Sequence, residues 1–234
     1  SNYLDIAHFF KSINYSHVVP QLVRDPERSI GRQADPFGGD FLEQIAVQNK
    51  RTRETRLGRI QIALKSAIPQ LTSLEHYRDE KTGVSHLRGK YEHWRPQGAW
   101  QSEVDFSDGT LRLMGLLWAL QDGSGPLLLE EPELSLHPGV VRHLPQMIRQ
   151  IQRQMKTAYR QIFISTHSRE LLSDIGIAPN EVLLFLSSRE GTEVKPGADD
   201  AQIKHELEAG FTMGEIALTR TEPPEVRQLS YLSE

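Results

Sequence analysis

The feature that most constrains this chain is an apolar run that ends abruptly in two carboxylates, Leu127-Leu128-Leu129-Glu130-Glu131, followed by Pro132. A short, continuous apolar run favours a strand buried in a parallel sheet. Since the proline interrupts the pattern, the two acids should lie at the edge of that sheet, where they are available for chemistry. Taken alone, the run is also compatible with a strand that leads into an acidic turn.

Composition limits the class of protein. With 234 residues the chain can bury a sizeable core, and its 38% hydrophobic and 25% charged residues suit a globular protein. The net charge of −4 gives no overall electrostatic case for nucleic acid. The absence of cysteine excludes disulfides and thiolate metal sites. No apolar run approaches the roughly 20 residues that span a bilayer, so we expect a cytoplasmic protein with no membrane partner.

The pattern predicts two parts, residues 1–104 and residues 105–234. The first has short apolar clusters, a helix over 40–68 that begins with the capping-box pattern of Asp40 and Glu43, and a β-hairpin around the turn at 79–83. In the second part, strands and helices alternate, which implies a right-handed parallel crossover. The predicted elements of this part are a helix over 110–120, strands over 127–130 and 162–165, an amphipathic helix over 141–155, a hairpin over 181–195, and helices over 201–209 and 212–219.

Basic residues recur along the helix predicted over 40–68. They are Lys50, Arg51, Arg53, Arg56 and Arg59. One interpretation is a solvated helix face, and the other is a surface that binds the phosphates of DNA or RNA.

Two further motifs flank the paired acids. Ser107-Asp108-Gly109 precedes a predicted helix, whose N-terminus carries partial positive charge and unpaired N–H groups that can receive phosphate oxygens. The serine hydroxyl adds a donor, and the glycine permits close backbone approach. Downstream, Ile164-Ser165-Thr166-His167-Ser168 ends an apolar strand in a histidine. Each motif also has a plain structural interpretation, as an N-capped helix and as a capping or core histidine.

In this order and spacing, the three motifs resemble the core of the ABC-type ATPases. The motif sequences are similar to those of the stand-alone AAA, SMC-like and OLD-like group. They are Phe-Ser-Asp-Gly-Thr, then Glu-Glu-Pro-Glu-Leu-Ser-Leu-His-Pro, then Ser-Thr-His-Ser. The resemblance is close over about 105–220 and loose over 1–100. It implies an α/β fold with a three-layer ABC-ATPase-like core of parallel strands and flanking helices, to which the N-terminal helical and β-hairpin region is added.

The resemblance also implies roles for the motif residues. Glu130 occupies the position in the Walker B motif that serves Mg²⁺, where the family more often has aspartate. Glu131 occupies the position of the general base. His167 matches the switch histidine that contacts the γ-phosphate. Ser107 and Gly109 match the signature motif that binds phosphate, although Asp108 stands where glycine is common. Residues 134–137 occupy the place of the D-loop, with histidine where aspartate is usual.

The sequence contains no phosphate loop of the form Gly-x-x-x-x-Gly-Lys-[Ser/Thr]. The simplest account is that the chain is the C-terminal portion of a longer ATPase that uses ATP and Mg²⁺, and that this portion alone is inactive. The resemblance implies a homodimer joined through the ATP sites, a role in DNA repair or anti-phage defence, and a nuclease or other effector and DNA as further partners. The alternative is a non-catalytic interaction module that keeps the fold without a phosphate loop.

Overall fold

The structure is a computed structural model that describes residues 2–31, 34–92, 99–154 and 160–223. It has the predicted mixed α/β fold, with a parallel sheet and flanking helices. The helices are α1 (Asn2–Ser12), α2 (Pro20–Val23), α3 (Pro26–Ser29), α4 (Phe41–Ala46), α5 (Lys50–Leu64), α6 (Asp108–Ala119), α7 (Pro138–Val141), α8 (Leu144–Gln154), α9 (Arg169–Leu172), α10 (Ala201–Glu208) and α11 (Met213–Thr221). The strands are β1 (Asn14–Ser16), β2 (Leu71–Arg78), β3 (Ser85–Tyr91), β4 (Ala99–Ser102), β5 (Leu127–Glu130), β6 (Ile162–Ser165), β7 (Leu183–Ser188) and β8 (Gly191–Pro196). None of these described helices combines the length and apolar character needed to cross a bilayer.

The chain divides into two compact units. The first comprises Ser1–His137 and Met147–Thr166, and the second comprises Pro138–Gln146 and His167–Glu234. The division falls inside α8, and Met155, predicted at the end of this helix, lies outside the described residues.

The first unit is built on a three-stranded parallel sheet with the order β1-β5-β6. The predicted strands over 127–130 and 162–165 are both present. The third strand, β1, was not predicted, since it has only three residues, Asn14-Tyr15-Ser16, and no apolar run. Along β5 the exposure alternates, with Leu127 and Leu129 buried and Leu128 and Glu130 more accessible. The strand is therefore buried on one face, whereas the continuous apolar run predicts burial on both.

Packing of α6 against the segment after β1 holds β1 in its place in the sheet. A Cβ added at Gly115, in the middle of α6, would lie 2.5 Å from a side-chain carbon of Val18, so only glycine fits here without movement. Most of α6 is buried, including Leu113, Leu117 and Trp118. The close contact therefore ties the middle of α6 to the segment that follows β1.

Arg160 holds the connection between α6 and β5. Its side chain is 8% exposed and donates hydrogen bonds to the main-chain carbonyls of Ala119, Asp122 and Gly125. Burial lowers the pKa of the guanidinium, and the nearby Asp122 carboxylate partly opposes this effect. The carbonyls of Asp122 and Gly125 lie in the irregular connection after α6, whereas the Ala119 carbonyl also accepts from the Asp122 N–H at 3.3 Å, and the arginine supplies side-chain donors to all three.

The helix predicted over 40–68 is interrupted. It forms as α4 and α5, because the Asn49 side chain accepts a hydrogen bond from the Thr52 N–H at 2.9 Å and so starts a new helix. The capping box predicted for Asp40 and Glu43 does not form. Asp40 is at the N-cap, but its carboxylate accepts from the Gln44 side chain at 3.0 Å instead of a main-chain N–H.

Two of the five basic residues of α5 make side-chain contacts with residues outside this helix. Arg53 donates to the carbonyls of Ala46 and Gln48, and Arg56 pairs with Asp122 at 2.7 Å while its guanidinium lies over the ring of Trp118. These contacts favour a structural role for both arginines. The interpretation of the helix as a phosphate-binding face stays a prediction.

The predicted hairpin is present as β2 and β3, and β4 adds a third antiparallel strand. The Asp79 carboxylate accepts hydrogen bonds from the N–H groups of Lys81 and Thr82, both at 2.8 Å, and Gly83 has a φ of +71°. These are the reasons that the turn at 79–83 forms where the sequence indicates.

We expect stability to depend on the protonation of His76 in β2. Burial chiefly, and then the charges of Arg53 and Arg78, lower the pKa of this histidine from 6.5 to about 4. Its Nε2 atom is buried and makes no hydrogen bond to a described residue. Between pH 6.5 and about 4 the unfolded chain therefore binds a proton that the folded chain rejects, so the free energy of unfolding should fall as the pH is lowered through this window.

Urea titrations of the wild type and His76→Gln at several pH values measure this effect. The variant should lose less stability than the wild type between pH 6.5 and 4. His8→Gln, on the exposed surface of α1, is the matched control and should follow the wild-type profile. Parallel profiles for the wild type and His76→Gln would contradict the assignment.

The second unit contains α7, α9, the antiparallel hairpin β7–β8, α10 and α11. The hairpin and the last two helices were predicted. The helix α11 begins with a capping box in which Thr212 and Glu215 bond reciprocally to each other's N–H groups. The core of this unit consists of Val182, Leu184, Ile203, Met213, Ile216 and Ala217.

Candidate functional site

Glu130, the last residue of β5, is held by side chains from the neighbouring strand. The Tyr15 hydroxyl donates a hydrogen bond to Oε2 of Glu130, and Nδ1 of His17 lies 3.2 Å from the Glu130 main-chain oxygen. The bond to the carboxylate, more than burial or charge, raises the pKa of Tyr15. Both contacts follow from the register, in which Tyr15 pairs with Leu128 and so shares a face of the sheet with Glu130.

Glu131 takes a different direction because the backbone turns at this residue. Its φ is +39°, in the left-handed region that residues other than glycine rarely adopt. The turn is tied to the sheet by the Glu131 N–H, which donates to the carbonyl of Ser165 at 2.9 Å. A conformation of this kind costs about 1–3 kcal/mol and persists only where neighbouring structure enforces it. The adjacent acids therefore have distinct backbone environments.

The turn after Glu131 is held by a further contact to the end of β6. The hydroxyl of Thr166 donates to the Glu133 carboxylate. Ser135, in the segment that resembles a D-loop, also has a positive φ, of 62°. The two strand ends and the segment after β5 thus form one hydrogen-bonded edge of the first unit.

Ser107 is the N-cap of α6. Its hydroxyl oxygen accepts from the Thr110 N–H at 3.2 Å and lies 2.8 Å from the Thr110 hydroxyl. The residue is exposed, so this capped helix start faces solvent. The structural interpretation of the motif as a helix cap therefore holds, and the phosphate-binding role stays a prediction beside it.

Asp108 is paired with a residue that the sequence did not indicate. A single guanidinium nitrogen of Arg24 lies 2.6 Å from the Asp108 carboxylate and 2.7 Å from the Phe106 carbonyl oxygen, and it donates to both. Arg24 ends α2, so it is distant in sequence from Asp108. This pairing offsets the negative charge that the aspartate brings to the start of α6.

Gly109 lies against the segment that follows β5. A Cβ added at this position would be 2.5 Å from the main-chain oxygen of Ser135 and 3.3 Å from the Leu136 side chain. No side chain fits there without a backbone shift. The group that approaches this glycine in the structure is the protein's own backbone, and the contact of Gly109 with phosphate stays a prediction.

His167 belongs to the second unit. It is exposed and immediately precedes Ser168, whose hydroxyl caps α9 by accepting from the Leu171 N–H at 3.2 Å. The imidazole lines a shallow pocket with Leu218, Thr219 and Thr221 of α11 and the residues after it. His167 is thus at a surface of its unit and is not a buried core histidine.

Within the first unit, Gly109 lies close to Ser135 in the segment after Glu131, and Tyr15 is bonded to Glu130, whereas the printed contacts of Ser107 are with Thr110. Sequence reasoning missed Tyr15, His17 and Arg24, because each acts through a contact between segments far apart in the chain. Among the described residues, no group of three or more histidine, aspartate or glutamate side chains could hold a metal ion. A Mg²⁺ ion bound mainly by phosphate oxygens and water needs only one or two carboxylates, which Glu130 can supply.

These features define an α/β domain whose sheet edge presents paired carboxylates beside a capped helix. A family profile described as "AAA domain, putative AbiEii toxin, Type IV TA system" matches residues 2–173. The chain therefore belongs to this family of AAA domains. A comparison with curated protein sequences finds no match.

Several solved structures have a similar fold. The Smc head domain of Pyrococcus furiosus, solved with the C-terminal domain of ScpA, is 12% identical with a TM-score of 0.48, over 68% of this chain and 39% of that chain. The Smc head of Pyrococcus yayanosii is 16% identical with a TM-score of 0.46, over 68% of this chain and 30% of that chain. A structure from a study of ATP-driven dimerization of SMC ATPases is 12% identical with a TM-score of 0.47, over 73% of this chain and 96% of that chain. The chain thus spans well under half of the two Pyrococcus proteins, and likeness at this level concerns the fold alone.

Proposed function

We propose that the chain is the C-terminal portion of an ABC-type ATPase head that hydrolyses ATP with Mg²⁺ between two copies of the protein. The observation that carries the proposal is the end of β5, where Glu130 is held by Tyr15 and Glu131 turns away from the strand. Membership of an AAA family supports it. Neighbouring acids with different orientations suit a reaction in which one carboxylate serves the metal and the other serves water.

In this proposal Glu131 accepts a proton from the attacking water at its carboxylate oxygen. Glu130 orients the metal or a water bound to it, and His167 contacts the terminal phosphate. A Mg²⁺ ion held on the Glu130 side would neutralise negative charge on the phosphate oxygens. Ser107 and Gly109 serve the nucleotide held by the second copy, through the exposed start of α6.

The wider setting is also a proposal. The family description names a toxin of a type IV toxin–antitoxin system, and we propose such a system, DNA repair or anti-phage defence as the context. A nuclease or other effector, and DNA, are the further partners that we propose. One similar Smc head domain was solved bound to the C-terminal domain of ScpA, and another similar structure concerns DNA-stimulated activation of SMC ATPases.

We expect residues 1–234 alone to bind ATP weakly or not at all, because the sequence lacks the phosphate loop that supplies most phosphate contacts. Isothermal titration of the purified chain with ATP and Mg²⁺ measures this. A longer polypeptide that carries a phosphate loop upstream should bind ATP and release phosphate. Micromolar affinity in the chain alone would contradict the expectation, and a longer polypeptide without ATPase activity would favour the non-catalytic interaction module.

A further inference from the structure

Two electronegative groups lie at the start of α6, beside the residues proposed to contact phosphate. Asp108 is the first residue of the helix, and its side chain is 41% exposed. The main-chain carbonyl of Phe106 lies just before the capping residue Ser107. A carboxylate at a helix N-terminus interacts favourably with the helix dipole, but it also repels any phosphate that approaches the same end. Alone, Asp108 would therefore oppose the phosphate-binding role proposed for Ser107 and Gly109.

A single arginine from a distant segment satisfies both groups. One terminal nitrogen of Arg24 donates to the Asp108 carboxylate at 2.6 Å and to the Phe106 carbonyl oxygen at 2.7 Å. The Arg24 side chain is 25% exposed, so salt screens this ion pair less than a fully solvated one. Its backbone is fixed at the end of α2, where the Arg24 N–H donates to the Pro20 carbonyl, and α2 packs against α6. The fold therefore holds the guanidinium at the start of α6.

The start of α6 keeps donors for an anion once these two groups are satisfied. The first N–H groups of a helix have no acceptor within the helix. Ser107 takes up the Thr110 N–H at 3.2 Å, and this cap does not involve the N–H groups of Asp108 and Gly109. Since the ion pair is neutral as a whole, the carboxylate does not cancel the partial positive charge of the helix end. The arrangement therefore suits a phosphate only while Arg24 stays in place.

We propose that Arg24 is a positioning residue of the nucleotide site, which neutralises Asp108 and thereby lets the start of α6 accept a phosphate group. This inference rests on the proposed function, in which Ser107 and Gly109 contact the nucleotide held by the second copy. Arg24→Gln leaves a net negative charge at the helix start, whereas Asp108→Asn leaves a net positive charge. The two substitutions therefore have opposite expected effects on phosphate binding, although both break the same ion pair.

Titration of residues 1–234 with tripolyphosphate tests the proposal, because this anion needs no phosphate loop to reach the start of α6. The NMR shift of the Gly109 amide measures its affinity at this place. At low ionic strength the affinity should fall about three- to tenfold in Arg24→Gln, rise by a similar factor in Asp108→Asn, and return close to the wild-type value in the double variant. These differences should shrink at about 1 M salt, where the Debye length is about 3 Å.

The order of the affinities separates this role from a purely structural one. If the ion pair only maintained the helix start, both single variants would bind tripolyphosphate more weakly than the wild type, and that result would overturn the proposal. Equal affinities in all four proteins, or no binding in any of them, would also overturn it. If Arg24→Gln does not fold, Asp108→Asn decides alone, since tighter binding supports the proposal and unchanged or weaker binding contradicts it. Arg51→Gln, which removes an exposed cation of α5, is the control for net charge and should bind like the wild type.

The titration involves no hydrolysis, so its result is separate from the ATPase assay. The expected order of affinities, together with a longer polypeptide that does not hydrolyse ATP, would leave this inference standing while the proposed function fails. Hydrolysis of ATP, together with equal tripolyphosphate affinities in the wild type and Arg24→Gln, would do the reverse.

Discussion

Replacing Glu131 by glutamine should slow ATP hydrolysis by about 10²- to 10⁴-fold in the polypeptide that carries the phosphate loop, because a positioned general base contributes about this much to a rate. Glutamine keeps the size of the side chain but cannot accept the proton of the attacking water. The φ of +39° is no harder for glutamine than for glutamate, so folding should be unaffected. Phosphate release at saturating ATP and Mg²⁺ measures the rate.

The same variant should accumulate as an ATP-bound dimer, which gel filtration with and without ATP detects. Glu54→Gln is the matched control, because it removes an exposed carboxylate of α5 whose only partner is Lys50 at 3.9 Å in the described structure. That control should keep wild-type turnover. Undiminished turnover in Glu131→Gln would refute the general-base assignment.

Replacing Arg160 by methionine should lower the free energy of unfolding by about 3–5 kcal/mol, because it removes the buried donor of the Asp122 and Gly125 carbonyls and one of the two donors of the Ala119 carbonyl. Methionine retains much of the apolar stem, so the loss reports mainly on hydrogen bonding. Since a domain of this kind typically has only 5–15 kcal/mol of stability, the variant should unfold at a markedly lower urea concentration.

Arg153→Met, on the exposed surface near the end of α8, is the control for loss of an arginine. It should change stability by less than about 0.5 kcal/mol. Arg160→Lys should fall between the two, since one ammonium group cannot reach three carbonyls in different directions. A stability of Arg160→Met equal to that of the control would show that the turn does not depend on this side chain.

Local sequence signals predicted the elements that depend on local contacts. The cap of α6 at Ser107, the turn at Asp79 and the helix α11 result from residues close together in the chain. The strands β5 and β6 were predicted from their own apolar runs, although they pair with each other across distant segments. The break between α4 and α5 was not predicted, although Asn49 is a residue type favoured at the N-cap, because the apolar spacing continues to Ile68.

The features that the sequence could not indicate depend on contacts between distant segments. The strand β1 has no pattern of its own, and it exists because its backbone pairs with β5. Tyr15 becomes part of the candidate site only through that pairing. Arg24 and Arg160 look like ordinary surface arginines in the sequence, and their partners lie far away along the chain. The roles of Glu130, Glu131, Ser107, Gly109 and His167 stay predictions.

The backbone contact between Gly109 and Ser135 has a consequence for communication between active sites. In the proposed dimer, Glu131 acts on the nucleotide of its own subunit, whereas the start of α6 holds the nucleotide of the other. Because a Cβ on Gly109 would lie 2.5 Å from the Ser135 main-chain oxygen, the turn after Glu131 and the start of α6 pack closely. In the proposed dimer, a shift of that turn on hydrolysis would press on the start of α6, and we propose this contact as a route by which one active site communicates with the other.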